Sequence, residues 1–143
     1  MSGYRKPLPR LDGPNRPFWE GARDGRLMLQ RCLECGTWRF PAAPCCAACR
    51  SGRSEWRAAS GRATLHSFCR FHKPYFDGFA EELPYTVIQV RLEEGVELFS
   101  SLVGLVDGRI VVGMKLRACF DRVTEAGTLV KFAPAETAAE AAP

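Results

Sequence analysis

Beyond residue 60 the chain alternates apolar and polar positions in short runs. Residues 64–70, 85–92, 96–103, 115–123 and 129–132 are rich in branched and aromatic side chains, the pattern of half-buried strands. Glu93-Glu94-Gly95 predicts a tight hairpin between the second and third runs, and Asp107-Gly108 and Ala126-Gly127 predict two further turns. Five short strands point to a small barrel, and a five-stranded OB-type barrel is the economical arrangement. Before residue 60 the pattern differs. Asn15 is placed to cap a short helix with Pro17 in its first turn, with Phe18, Trp19 and Ala22 on its apolar side and its end at Gly25. Residues 26–31 read as a strand, 50–54 as a loop and 55–57 as extended chain. The first dozen residues read as an arm, and the Ala/Glu-rich residues 135–143 lack apolar periodicity and are expected to be disordered.

Between the helix and the barrel lies the strongest chemical signal. Cys32 and Cys35 are separated by two residues, and so are Cys46 and Cys49, with ten residues between the pairs. Two such knuckles predict one tetrahedral Zn2+ site. The metal contributes folding energy that a segment this short cannot draw from its own core. Gly36 suits the turn that closes the first knuckle, and Phe40-Pro41 suits the connecting loop. Cys45 is a rival for Cys46, but only Cys46 has the right spacing to Cys49. Four thiolates close the coordination shell, so the site is expected to be structural. Cys69 and Cys119 fall in predicted strands and are expected to be buried free thiols.

Composition narrows the class. Of 143 residues, 46% are hydrophobic and 25% charged, which fits a packed globular chain. No apolar run is long enough to span a membrane, and the basic, proline-rich start lacks the apolar stretch of a secretory signal. A cytoplasmic, reducing location is therefore expected, where cysteines bind metal more readily than they form disulfides. The net charge of +4 is uneven: residues 1–75 carry +9 and residues 76–143 carry −5. The basic half suggests an anionic partner.

An independent active site is hard to find. His66 sits within a strand, and His72 lies in the aromatic, cationic stretch Phe71-His72-Lys73-Pro74-Tyr75-Phe76 with no carboxylate or cysteine spaced to make it a base. Glu81-Glu82 and Glu93-Glu94 fall at turns. Phosphate-binding and nucleophile-elbow motifs are absent. No catalytic residue is assigned.

The run Cys32-Leu33-Glu34-Cys35-Gly36, followed by Phe40-Pro41, Cys46-Ala47-Ala48-Cys49, Ser51, Glu55-Trp56 and Ser60-Gly61, resembles the DUF35 family. Pro84-Tyr85, Leu92-Glu93-Glu94-Gly95 and Gly113-Met114 extend the likeness, which covers about residues 15–134. The resemblance implies a mostly β fold: an N-terminal helical segment (1–31), a rubredoxin-like zinc ribbon (32–58), a five-stranded OB-fold barrel (59–134) and a tail (135–143). It further implies an accessory subunit of a thiolase-superfamily enzyme in a hetero-oligomer, or a partner of a MaoC-type enoyl-CoA hydratase, that helps to hold acyl-CoA. The chain departs from the family at Ala42-Ala43, where Pro-Arg is common, and at Ala47, where Pro is common. CoA phosphates suggest Arg50, Arg53, Arg57, Arg62, Arg70 and Lys73 as receivers, because guanidinium groups bind phosphate bidentately. Phe18, Trp19, Phe71, His72, Tyr75 and Phe76 are candidate contacts for a partner or ligand, and Phe68 could add apolar surface. A single-stranded nucleic-acid-binding module is the alternative, since ribbons and OB barrels both serve that purpose. The acidic second half argues against it.

Overall fold

The computed structural model describes residues 6–104 and 110–135. The expected Asp107-Gly108 turn and all of the expected disordered tail after Ala135 lie outside them, as do the first five residues of the arm.

Helix α1 (Arg16–Arg23) starts directly after Asn15, with Pro17 in its first turn. The capping role predicted for the Asn15 side chain is not what the structure shows. Its amide oxygen instead accepts the Ala42 N–H at 2.7 Å, while the Phe18 N–H is met by the Asn15 backbone carbonyl at 2.9 Å. One asparagine thus starts the helix with its backbone and pins a distant loop with its side chain. Phe18 and Ala22 are buried, and the chain leaves the helix through Gly25 at φ +76°.

A small antiparallel sheet follows, in the order β2-β1-β3. Strand β1 (Met28–Cys32) begins two residues later than expected and runs into the first cysteine. Strand β2 (Trp38–Arg39) is too short to leave a periodic signature, and β3 (Ser54–Ala58) pairs with β1 along its full length.

The second sheet contains β4 (Arg62–Phe71), β5 (Tyr85–Leu92), β6 (Glu97–Ser100), β7 (Lys115–Arg122) and β8 (Thr128–Pro134), in the order β6-β5-β4-β7-β8. All neighbours are antiparallel. The β5–β6 hairpin closes as predicted: Gly95, at φ +96°, donates to the Leu92 carbonyl at 2.8 Å, and Leu92 donates to Val96 at 2.8 Å. The predicted strand at 96–103 is cut short. After Ser100 the chain leaves β5 and meets β8 in parallel: the Phe132 N–H donates to Ser101 at 3.0 Å, and Val103 donates to the Phe132 carbonyl at 2.8 Å. That contact joins the two sheet edges and curls the sheet into a half-closed barrel with OB connectivity.

A bulge in β4 between Leu65 and Ser67 corrects the expectation for Cys69. With unbroken alternation, Ala63, Leu65, Ser67 and Cys69 would share the core face. The extra residue flips the strand, so Phe68 sits opposite the buried Ile88, and Cys69 faces outward opposite Val87 and is exposed. Cys119 is half-buried; burial raises its thiol pKa and the Lys131 charge opposes this.

One core serves both sheets. Phe18 of α1 and Leu27 and Leu29 at the start of the small sheet pack with Leu65, Ile88, Val90, Leu92, Leu116 and Phe132 of the barrel. Leu29, Ile88, Val90 and Phe132 are fully inaccessible. Burying each such side chain stabilises by about 1.5–3 kcal/mol. The ribbon is therefore fused to the barrel through its first strand.

Candidate functional site

The sulfurs of Cys32, Cys35, Cys46 and Cys49 lie within 4.8 Å of one another, with Cys32–Cys49 at 3.5 Å and Cys35–Cys46 at 3.6 Å. A Zn–S bond of about 2.3 Å places the ligands of a tetrahedral site about 3.8 Å apart, so the quartet is set for zinc. Cys45 is exposed and lies outside the quartet.

The two knuckles are built alike. Gly36 donates to the Cys32 carbonyl at 3.0 Å and Arg50 donates to the Cys46 carbonyl at 2.8 Å. Cys32 donates to Thr37 at 2.9 Å and Cys46 donates to Ser51 at 2.9 Å. Both residues after a knuckle take positive φ, +78° at Gly36 and +66° at Arg50. Backbone amides also face the sulfurs. Those of Cys35 and Glu34 hold the Cys32 thiol down at about 6, and those of Cys49 and Ala48 lower Cys46. Cys49 moves the other way: the Ser51 amide pulls it down, but the sulfurs of Cys32, Cys35 and Cys46 and its burial push it up to about 12. Four sulfurs this close resist full ionisation unless a cation lies among them. A filled tetrahedral shell leaves no position for a substrate.

The residues suggested for CoA phosphates do not form one cluster. Arg53 pairs with Glu34 at 2.7 Å, Arg57 lies 3.5 Å from Glu55, and Arg62 makes two bonds to Glu93 at 2.6 and 3.2 Å. Arg50 is exposed on the second knuckle. Arg62 and Arg70 stand at opposite ends of β4, eight residues and about 26 Å apart at strand rise. Arg70 and Lys73 instead belong with the β4–β5 connection.

That connection contains a short 3-10 turn (Asp77–Glu82) and an aromatic ladder. Tyr85 is stacked between Phe71 (5.1 Å) and Phe79 (4.7 Å), Tyr75 meets Phe71 edge-on, and the Lys73 ammonium lies 5.6 Å from the Tyr75 ring. Lys6 sits over Phe79 and pairs with Glu82. Tyr75 and Phe76 are 63% and 54% exposed, and His72 and Phe68 are also exposed. Phe79 and Tyr85 were missed by the sequence reading; Tyr85 read as an ordinary strand residue, although its register opposite Phe71 is what builds the ladder.

His66 is exposed at the bulge, its Nε2 3.8 Å from Glu97. Arg91 and Gln89 already hold Glu97, at 2.6 and 3.2 Å, and Arg91 lowers its pKa. Phe18 is not at the surface. It forms the inner wall of a cleft of about 570 Å3 between the Trp19–Phe40–Pro41 corner and strands β6 and β8, with Phe99 at its outer edge.

A four-cysteine zinc ribbon followed by an OB-fold is the class these features define. Family models divide the chain in the same way. The model described as "ChsH2, rubredoxin-like zinc ribbon domain" matches residues 19–55, and "ChsH2, C-terminal OB-fold domain" matches residues 56–121. A "DUF35 domain-containing scaffold protein" from Methanothermobacter thermautotrophicus is 35% identical over 102 residues, covering 71% of this chain and 76% of the relative. The chain belongs to the DUF35 family.

A "Probable enoyl-CoA hydratase alpha subunit" from Thermomonospora curvata is 35% identical over 130 residues, 91% of this chain. The chain spans only 40% of that relative's length. The solved "Ltp2-ChsH2(DUF35) aldolase" contains a chain that superposes with a TM-score of 0.77 at 35% identity, covering 91% of this chain and 99% of that one.

Proposed function

We propose that this chain is a non-catalytic accessory subunit that supports a thiolase-superfamily enzyme, an aldolase, acyltransferase or synthase, and helps to hold or pass on its CoA-linked substrate. The observation that carries the reading is the near end-to-end likeness to the DUF35 chain of a solved aldolase. The site chemistry supports it: the four thiolates complete a tetrahedral shell, and Glu97, the carboxylate 3.8 Å from His66, is already held by Arg91.

For CoA, the β4–β5 connection is the better-equipped receiver. Arg70 and Lys73 have no carboxylate partner among the described residues, whereas Arg53, Arg57 and Arg62 are each engaged. Stacked rings with the Lys73 ammonium 5.6 Å from Tyr75 suit a purine and a phosphate, and Arg70 leads into the same connection from the end of β4. Connections at this position are a ligand-binding loop in OB-folds.

The decisive experiment is co-expression with the enzymes encoded by its genomic neighbours, followed by size-exclusion chromatography and assay of any thiolase-like enzyme among them with and without this chain. Co-elution with rescued activity is expected. A stable monomer that neither co-elutes nor changes the enzyme's activity refutes the proposal. A hydratase partner is the second reading, favoured by the hydratase alpha-subunit relative. Co-elution with a MaoC-type subunit alone selects it. Free thiols at Cys45, Cys69 and Cys119 suit a cytoplasmic setting.

A further inference from the structure

The cleft beside α1 lies where the barrel fails to close. Strands β6 and β8 meet at Ser101 and Phe132 and then separate toward Glu97 and Thr128. In an antiparallel ladder, bonded and non-bonded pairs alternate, and a residue of a non-bonded pair turns its N–H and C=O away from its neighbour. The Leu92–Val96 bond sets the phase of the β5–β6 ladder, so the backbone groups of Glu97 and Phe99 face away from β5. The Val123–Gly127 bond sets that of β7–β8, so Thr128 and Val130 face away from β7. Ser101 and Phe132 are next in each series, and they do bond across the gap. Below them, the Val130 carbonyl takes the Ser100 hydroxyl at 2.8 Å. The remaining groups of Glu97, Phe99 and Val130, which line the cleft, have no backbone partner among the described residues, whereas Thr128 is buried outside it.

Two strand edges therefore present donors and acceptors into one space, above a floor of Phe18, Trp19, Phe40 and Leu98. An acyl chain could fill the floor but would leave those backbone groups unmet, at a cost comparable to a lost hydrogen bond each. An extended peptide meets both needs, pairing with an edge while its alternate side chains enter the apolar floor. The charges on the walls are already neutralised within the chain, Glu97 by Arg91 and Lys131 by Asp121. A complementary segment is thus uncharged where it enters.

We propose that the β6–β8 cleft binds an uncharged, extended segment of a partner polypeptide by strand addition. This goes beyond the accessory role, because it names how a partner grips this chain.

The test uses this chain alone, so its failure leaves the accessory role standing. Random linear peptides displayed on phage are selected on the zinc-loaded protein, and a synthetic copy of the winner is titrated by calorimetry and amide NMR. Enriched sequences should alternate apolar side chains and lack charge. The Phe99 and Val130 amides should exchange rapidly in the free protein and become protected in the complex. Val130→Pro removes an N–H that has no partner among the described residues, and Phe99→Lys places a charge at the rim. Each should weaken the peptide by about tenfold, the scale of a lost backbone bond. Should Val130→Pro fail to fold, N-methylation of alternate peptide amides tests the same bonds from the other side. Four results overturn the proposal: no enriched sequence; affinity indifferent to N-methylation; Phe99 and Val130 amides already protected in the free chain; or octanoyl-CoA perturbing the cleft resonances when no peptide does.

Discussion

Arg50 offers a test of how the zinc knuckles are built. It occupies in the second knuckle the position that Gly36 occupies in the first, and its φ of +66° lies in the left-handed region. A side chain there costs about 1–2 kcal/mol, because Cβ crowds the following carbonyl oxygen. Glycine escapes this cost but gives up about 0.5–1 kcal/mol through the greater freedom of the unfolded chain. Arg50 is exposed and has no ion pair among the described residues, so its removal sacrifices little. Arg50→Gly should therefore stabilise the zinc-loaded protein by about 0.5–1 kcal/mol, raising Tm by about 2–3 °C for a chain of this size. Thermal and guanidinium unfolding followed by circular dichroism measure it. Arg50→Ala separates backbone from side chain, because alanine keeps the Cβ and should give no gain. Equal stabilisation by alanine and glycine would assign the effect to arginine's charge and refute the backbone argument. The mirror change, Gly36→Ala, should on the same balance destabilise by about 0.5–1 kcal/mol, and by more where the Arg31 guanidinium, 3.1 Å from the new Cβ, has to shift.

Leu29→Ala should cost about 2–5 kcal/mol, because the side chain is fully inaccessible and lies where ribbon and barrel share a core. Ribbon and barrel amides should melt together; separate transitions would disprove the shared core. With zinc bound, Cys45 and Cys69 should alkylate while the quartet does not, and a chelator should release all four thiols and dissolve the β1–β2–β3 sheet. Alkylation of Cys35 at the rate of Cys45 before chelation would refute a filled site. The Arg91 hydrogen bond lowers the Glu97 pKa from 4.5, so Glu97 binds protons more weakly folded than unfolded. Its contribution is fully present above the unfolded value and fades as pH falls through the folded one. Glu97→Gln should flatten the loss of stability below pH about 4.5, and an unchanged slope would rule the pair out.

The cysteine spacing was legible because zinc geometry is dictated by a few residues close in sequence, and the strands were legible wherever one face is buried and the other wet. The failures have a common physical form. Cys69 was misplaced because a bulge at His66 leaves no mark in a period-two pattern yet reverses the face of every residue beyond it. The run at 96–103 was read as one strand because Ser101 to Val103 remain extended; their change of partner from β5 to β8 depends on residues thirty positions away. The arginines looked like one patch because they are close in number, but a ten-residue strand carries Arg62 and Arg70 to opposite ends. Asn15 was read locally, whereas its side chain is recruited by Ala42.

These long-range ties connect the metal to the cleft. The loop between the knuckles carries Phe40 and Pro41, which line the cleft, and its position is set by bonds on both sides. Asn15 holds the Ala42 amide at 2.7 Å, and the Gln30 side chain accepts both the Ala43 amide at 2.9 Å and Arg39 Nε at 2.8 Å. Arg39 in turn donates to the Ala43 carbonyl at 2.9 Å. Gln30 and Arg39 are paired across β1 and β2, the strands that flank the first cysteine pair. Loss of zinc would release β2, a two-residue strand with little stability of its own, and with it the Gln30–Arg39 brace. The Phe18–Phe40 contact, with ring centroids 4.4 Å apart, would then lose its outer partner. Zinc in this chain thus acts at a distance: a closed shell with no chemistry of its own fixes the apolar corner against which a second molecule could be held.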